Sequence, residues 1–375
     1  MNPKMLAAIA AVTLVIGILV GGGADRVTAS PAPVSGDYRA LEPIRHGNLT
    51  VFPVIAAKTH DTSEFLTLDE GLRSGEVVVT ESGRVQGLVR PRDPQPVLEG
   101  ASHRRPPIII QGGGAEVNRL VLVNNSKRPL LLLAGEIVTG GKQDRVIGKD
   151  RIVLPESDPI DLSVFCVEPG RWVGTSETFG TMGTVMAAPA VRGKAMAEKN
   201  QAQVWSEVGK SRDEMMARAP SAAPAIGGTS SYARVMQNTE VQKQVDSVAE
   251  PIRRDYQSLI KQLREQNAVG VVVAVNDQIV WADLFASTHL LEKYWPKLIR
   301  SYAAEAVITK AKGATVTTKA AQQFLTDMQG RREVVESEPG IYRHTEITGD
   351  DFKAFELTSL LPKTGFDLHV AKMAE

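Results

Sequence analysis

The hydrophobic and polar positions fall into three regimes along the chain. From Leu49 to Val167 short apolar or alternating runs recur with turn residues near their ends: Leu49–Ile55, Glu76–Thr80, Val117–Val123, Pro129–Ala134, Arg151–Leu154 and Asp161–Val167. Runs of four to eight residues with this punctuation predict strands of an antiparallel or mixed sheet. Glycine-rich loops are expected at Gly112–Gly114, Gly140–Gly141 and Phe179–Gly183. From about Ala195 the period changes, and Met196–Arg218 carries apolar residues at helical spacing. Ser230 or Ser231 is placed to cap a further helix from Tyr232, whose continuation aligns Val241, Val245, Val248, Ile252, Tyr256, Leu259 and Leu263 on one face. Such a stripe is expected to pack on the chain's own sheet, with capture of a partner protein as the other use. Pro251 is expected to kink or restart that helix.

The third regime mixes both periods. Ala268–Val275 and Gln278–Leu284, joined through Asn276 and Asp277, predict a hairpin. A helix carrying Leu291, Tyr294, Trp295, Leu298, Ile299, Tyr302 and Ala306 should follow, with Pro296 marking a kink or fresh start. Another helix over Thr317–Met328 and short strands near Glu333, Ile341–Ile347, Phe355–Leu360 and Gly365–Ala371 complete the chain. Strands first, a helical insert over about residues 196–266, then a hairpin, helices and strands mixed point to an α+β fold in a single domain over 48–375. The Pro-rich, aperiodic stretch 30–47 is expected to be a linker.

The first 29 residues change the picture of where the domain resides. Lys4 precedes an uncharged run from Met5 to Ala24, and Val27 and Ala29 stand at the −3 and −1 positions of a cleavage site before Ser30. This is the pattern of a signal peptide. The run is also about 20 residues long, enough for an uncleaved membrane anchor. Both versions put the body outside the cytoplasm, secreted, periplasmic or anchored, and touching a membrane only through this segment. The 43 Lys+Arg balance 43 Asp+Glu, so no long-range field draws the molecule to nucleic acid. Cys166 is the single cysteine, and the six histidines are scattered, which excludes an internal disulfide scaffold and a structural zinc site.

Candidate chemistry concentrates in two stretches. In Leu130–Arg145 a buried run passes through Gly135 and Glu136 to Gly140, Gly141, Lys142, Gln143, Asp144 and Arg145. The amides of Gly140 and Gly141 beside Lys142 and Arg145 would suit a phosphate or carboxylate, with Gln143 and Asp144 orienting a sugar hydroxyl and Glu136 as acid or base. Residue types alone favour the plainer reading, a strand ending in a glycine turn with Glu136 paired to Arg145 or Arg171. The second stretch is Cys166–Trp172, where Glu168 and Arg171 flank a Pro-Gly turn that would hold them together as an ion pair while Trp172 covers apolar surface. Arg171 and Trp172 would offer an anion contact and a stacking face, while Cys166 reads as a small buried hydrophobe. Asp283 is a weaker carboxylate candidate, more simply hydrogen-bonded to the next turn, and His103, Arg104 and Arg105 read as a solvated loop. No Walker loop, HExxH or GxSxG is present, and nothing names a cofactor or metal.

Taken together, GEIVTGGKQDRVI, CVEPGRW, VVVAVNDQIVWADLF and LEKYWPKLIRSYAAEA resemble the ARG and rhodanese-phosphatase-superfamily-associated protein domain. The resemblance runs from about Asn48 to Ala306 and into the C-terminal strands. The family is named for association with ADP-ribosylglycohydrolases and rhodanese-like phosphatases, which implies a link to ADP-ribose or related nucleotide chemistry. Its pattern falls on Gly135, Glu136, Gly141, Lys142, Gln143 and Arg145, and on Cys166, Glu168, Gly170, Arg171 and Trp172. Two expectations follow. In one, a cleft between the loops binds a small anionic nucleotide- or sugar-like ligand, with processing of it left open. In the other, the same residues form a buried ion-pair network in a non-catalytic envelope protein whose helical insert binds a partner.

Overall fold

The computed structural model describes residues 38–82, 116–263, 266–313 and 315–375. The segment 1–29 expected to direct export, the beginning of the expected linker, Gly112–Gly114 and His103–Arg105 lie outside them. In chain order the strands are β1 (Tyr38–Ala40), β2 (Ile44–His46), β3 (Leu49–Ala56), β4 (Leu66–Thr67), β5 (Val77–Glu81), β6 (Arg119–Asn124), β7 (Leu130–Leu132), β8 (Glu136–Gly140), β9 (Arg145–Ile147), β10 (Arg151–Val153), β11 (Ile160–Cys166), β12 (Phe179–Met186), β13 (Ala268–Val275), β14 (Gln278–Phe285), β15 (Arg331–Glu338), β16 (Tyr342–Thr348), β17 (Phe352–Ser359) and β18 (Asp367–Ala374). The helices are α1 (Leu68–Ser74), α2 (Pro189–Gly193), α3 (Gln201–Arg218), α4 (Ala223–Gly227), α5 (Tyr232–Gln237), α6 (Thr239–Leu263), α7 (Thr288–Ile308) and α8 (Thr318–Thr326). The fold is α+β.

Among the described residues a nine-stranded sheet runs β1-β3-β13-β14-β18-β17-β16-β15, with β2 beside β3. A six-stranded sheet runs β12-β8-β9-β11-β6-β5, and β10-β7-β4 form a third. The pairing of β4 with β7 is parallel. The centre of the large sheet explains its own sequence. Every residue of β13 (AVGVVVAV) is buried, because successive side chains point to opposite faces and both faces are covered. Val271, Val273 and Val275 join the core built with α7. Val272 and Ala274 join the one capped by Ala321 and Leu325 of α8. The β13–β14 turn uses Asn276 at φ 56°, a conformation that Asn tolerates better than most residues. The Asn276 side chain then accepts from Lys312 N at 2.7 Å and donates to Lys310 O at 3.1 Å.

Several local expectations are corrected. The stretch 30–47 carries β1 and β2, both hydrogen-bonded to β3, so ordered structure begins before Asn48. Phe179–Gly183 is the start of strand β12, since Phe179 pairs with Gly140 and packs in the core of the smaller sheets. Met196–Arg218 is interrupted: a π-helical turn, Lys194–Glu198, ends at Lys199 with φ 50°, and Asn200 then caps α3 by accepting from Ala202 and Gln203. Pro251 and Pro296 lie inside α6 and α7 without restarting either. A proline in a helix interior costs about 3 kcal/mol, and the burial of the flanking apolar face offsets it. The stripe Val241, Val245, Ile252 and Tyr256 is buried against α7 and against the large sheet at β2 and β3, with the Tyr256 hydroxyl donating to the Gly270 carbonyl of β13 at 2.9 Å, so this face is covered within the chain. Ser231 does cap α5, accepting from Arg234 N.

At the junction of the large sheet, α2 and α7 sits a closed chain of charges. Arg192 of α2 donates to Asp283 of β14 through Nη1 at 2.9 Å and Nη2 at 3.0 Å. His369 of β18 lies between Asp150, with Nδ1 at 2.6 Å, and Asp283, with Nε2 at 3.1 Å. Tyr302 of α7 donates to Asp283, and Asp150 also accepts from Ala134 N at 2.7 Å. These four charged side chains are fully buried. Two carboxylates face one guanidinium and one imidazolium, so the cluster is neutral. Gly135 is required beside it: its φ is +92°, and a Cβ there would meet Arg192 Cγ at 2.6 Å.

Burial would depress the His369 pKa, but Asp150 and then Asp283 raise it from 6.5 to about 9. For Asp283, burial acts upward, and Arg192 followed by His369 outweigh it, holding the carboxyl below its ordinary 3.8. The raised histidine contributes stability that is complete below pH 6.5 and lost as pH climbs through about 9. The depressed carboxylate contributes above pH 3.8 and less as pH falls below it. Thermal unfolding followed from pH 5 to 10 should therefore show an alkaline decline that His369→Gln flattens. Asp283→Ala should cost about 3–5 kcal/mol in denaturant unfolding, the range for removing one partner of a buried pair.

Candidate functional site

The glycine turn and the Cys166–Trp172 turn meet directly. Asp144 N donates to Glu168 Oε2 at 3.0 Å, and Gln143 Nε2 to the Glu168 carbonyl at 3.0 Å. Arg171 closes the pair: Nη2 reaches Glu168 Oε2 at 2.5 Å, and Nη1 donates to the Gly141 carbonyl at 3.1 Å and that of Val173 at 2.8 Å. Gly170, at φ +89°, makes the tight turn that brings Glu168 and Arg171 together. The helical insert is tied to the same point, since Ser231 Oγ donates to Asp144 Oδ2 at 2.6 Å and Tyr232 N to Val167 O at 2.9 Å. Burial pushes the Asp144 carboxyl upward, against the Ser231 hydrogen bond and with the help of nearby Glu168.

The amides expected to be open for an anion are already engaged. Gly140 N donates to Asp144 Oδ1 at 3.1 Å, Gly141 N to Ser176 Oγ at 3.0 Å and Lys142 N to Glu81 Oε1 at 2.8 Å. The glycines are there for steric reasons. Gly141 has φ +50° and a Cβ would run into the Phe179 ring, while at Gly140, φ +127°, it would strike Ser176 Oγ. Arg145 is also internal, donating to the carbonyls of Val117 at 2.7 Å and Gln143 at 2.7 Å. Its side chain bolts β9 to the approach to β6, and burial lowers its pKa. Cys166 is buried, with Sγ accepting from Glu168 N at 3.3 Å, and burial pushes its thiol pKa up. A thiol so placed is a poor nucleophile.

Glu136 belongs elsewhere. It opens β8 while Gly140 closes it, roughly 13 Å away at about 3.3 Å per residue. Its Oε1 lies 2.5 Å from Lys297 Nζ of α7, and Oε2 accepts from Leu133 N at 2.8 Å. Lys297 also meets Asp69 Oδ2 at 2.6 Å. Two buried carboxylates thus share one ammonium. Burial drives the Glu136 carboxyl upward despite Lys297, and Asp69 adds to the rise. Neither Arg145 nor Arg171 is the partner that the sequence offered.

What remains accessible is the outer face. Trp172 is 43% exposed and Val173 71%. Lys142 Nζ stands over the Trp172 ring, 4.9 Å from its centroid. Beside them an open depression of about 420 Å³ is bordered by Glu168–Arg171, by Arg212 and Arg234, and by residues 227–230. Among the described residues no group of three or more His, Cys, Asp or Glu is disposed to hold a metal. Sequence reasoning missed Asp150, Arg192, His369, Lys297 and Asp69. The signal available was a charged residue inside an apolar run, as in Lys297 within YWPKLI and His369 within DLHVA, since a charge that must be buried has to be paired.

If Glu136 is a structural member of that cluster, Lys297→Met leaves two carboxylates buried without a cation and should cost about 3–5 kcal/mol. Glu136→Gln should cost far less, because it removes the excess charge and keeps an acceptor for Leu133 N. Equilibrium unfolding in urea measures both, and equal losses would contradict this account.

Comparison with curated proteins and with solved structures finds no match. The model of the ARG and Rhodanese-Phosphatase-superfamily-associated Protein domain matches residues 37–371, which takes in the three sheets and the insert. The chain belongs to the ARG and rhodanese-phosphatase-superfamily-associated protein domain family.

Proposed function

We propose that the chain is an exported protein that binds a small anionic, nucleotide- or sugar-like ligand on the outer face of its two joined motif loops. The observation carrying this reading is the Lys142 ammonium over the Trp172 ring, on loops braced from beneath by Glu168 and Arg171. A cation beside an accessible aromatic face suits a ligand with an anionic group and a flat ring or sugar. Gln143, Arg145 and Glu168 then act by fixing the loops, and Glu136, committed to Lys297, has no part in the chemistry. The reading is one of binding without an assigned catalytic step. Export rests on Lys4 and the uncharged run that follows it. Among the described residues no helix is long and apolar enough to cross a membrane.

The internal use of the glycine-turn amides favours a second reading, a non-catalytic envelope interaction protein. Thermal unfolding of the full-length chain against ADP-ribose, nucleotides and sugar phosphates separates the two. A ligand at one hundred times its Kd stabilises by about 2.7 kcal/mol. Neither the Lys142 nor the Trp172 side chain makes a hydrogen bond or ion pair among the described residues, so Lys142→Ala and Trp172→Ala should leave the ligand-free midpoint nearly unchanged. Each should weaken the apparent affinity about tenfold, equivalent to about 1.4 kcal/mol. A chain indifferent to every compound, or a shift untouched by both substitutions, would leave the interaction-protein reading.

A further inference from the structure

We propose that the depression between the Glu168–Arg171 turn and the insert loop at residues 227–230 is an oxyanion site that takes the phosphate of a phosphorylated ligand. This rests on the reading that the motif loops bind an anion, and it deepens that reading by naming the charged group and bringing in the insert. Three guanidiniums from three separate segments border the depression: Arg171 from the turn, Arg212 from α3 and Arg234 from α5. The carboxylate on the rim, Glu168, is spent on Arg171 and on Asp144 N. Arg212 is bonded to its neighbour Asp213, at 3.1 Å from Nη2. Arg234 has no ion pair among the described residues, and Arg171 Nε is buried without an acceptor among them. Glu168 and Asp144, the latter 3.7 Å from Arg171 Nη2, together with Asp213 balance the three cations in number, but Arg234 is left without a carboxylate of its own, and guanidinium forks match the geometry of phosphate oxygens.

Two hydroxyls add donors. Thr229 Oγ1 accepts from Ser231 N at 3.1 Å, which leaves its own O–H to donate outward. The Ser230 hydroxyl has no partner among the described residues and also borders the depression. The frame is rigid where it matters, because Ser231 is bonded to Asp144 and Tyr232 N to Val167 O. The insert is thereby held at a set distance from Arg171 before any ligand arrives, which lowers the entropic cost of binding. Apart from Pro169 and the glycines the border is polar, so an aromatic base would find no apolar surface within the depression itself. A tetrahedral dianion satisfies it better than a carboxylate, which brings half the charge and fewer oxygens.

The test is isothermal titration of the full-length chain with inorganic phosphate and inorganic pyrophosphate at constant ionic strength, with acetate as the carboxylate control. Arg212→Ala, Arg234→Ala and Arg234→Lys alter surface side chains, and circular dichroism should show the fold intact. Saturable phosphate or pyrophosphate binding, weakened about tenfold or more by each alanine variant and only partly restored by Arg234→Lys, is expected. Absence of saturable binding, equal affinity in the arginine variants, or acetate binding as well as phosphate would overturn the assignment. The two readings fail separately. Phosphate binding lost in Arg234→Ala, with ADP-ribose indifferent to Lys142→Ala, keeps this site and removes the stacking face. An ADP-ribose response lost in Lys142→Ala without any phosphate binding does the reverse.

Discussion

Burying Asp283 in the middle of the large sheet is the constraint from which much of this architecture follows. A carboxylate with no access to water demands charge and hydrogen bonds from its surroundings, and here they come from separate parts of the chain: Arg192 at the start of the insert, Tyr302 on α7 and His369 on the last strand. His369 passes the demand on to Asp150, at the far end of the motif region. Each partner would be a buried uncompensated charge without the others. The cluster therefore couples the smaller sheets, the insert and the C-terminal strands into one arrangement. Such networks add little net stability over an apolar core. What this one supplies is a fixed set of neighbours.

The same logic operates at smaller scale at the motif loops. Glu168 is nearly inaccessible, yet it organises the Asp144 amide and Arg171. Asp144 in turn holds Ser231 of the insert. The polar residues of the glycine turn are thus mostly consumed in holding loops to each other, while Trp172 and Arg234 are exposed and Lys142 and Arg212 partly so on the surface above them. Gln143, Asp144, Arg145 and Glu168 of the two motifs are buried. A pattern of inward-facing residues preserves the geometry of the surface above it.

Much of the fold was legible because it follows from periodicity. β13, β14, the helix carrying Tyr294 and Trp295 and the four C-terminal strands all lie where alternation or helical spacing put them, since burial of one or both faces enforces the pattern. Failures came where local cues met stronger tertiary ones. Pro251 and Pro296 stay inside helices held by packing, and glycine-rich Phe179–Gly183 becomes a strand because β8 offers a partner. At the candidate site, the Glu168–Arg171 pair was readable from its Pro-Gly spacing. The partner of Glu136 was not, because Lys297 stands 161 residues away.

The sequence by itself determined the fold class, the core strands and helices and the two motifs that carry the family resemblance, all properties of neighbouring residues and their spacing. Only the tertiary structure decided which charges meet, which amides are already occupied, and that Arg171, Arg212 and Arg234 border one depression. The reason is physical. Periodicity reports which face of an element is buried, but not against what, and electrostatic pairing is decided by distances across the fold that leave no trace in local spacing.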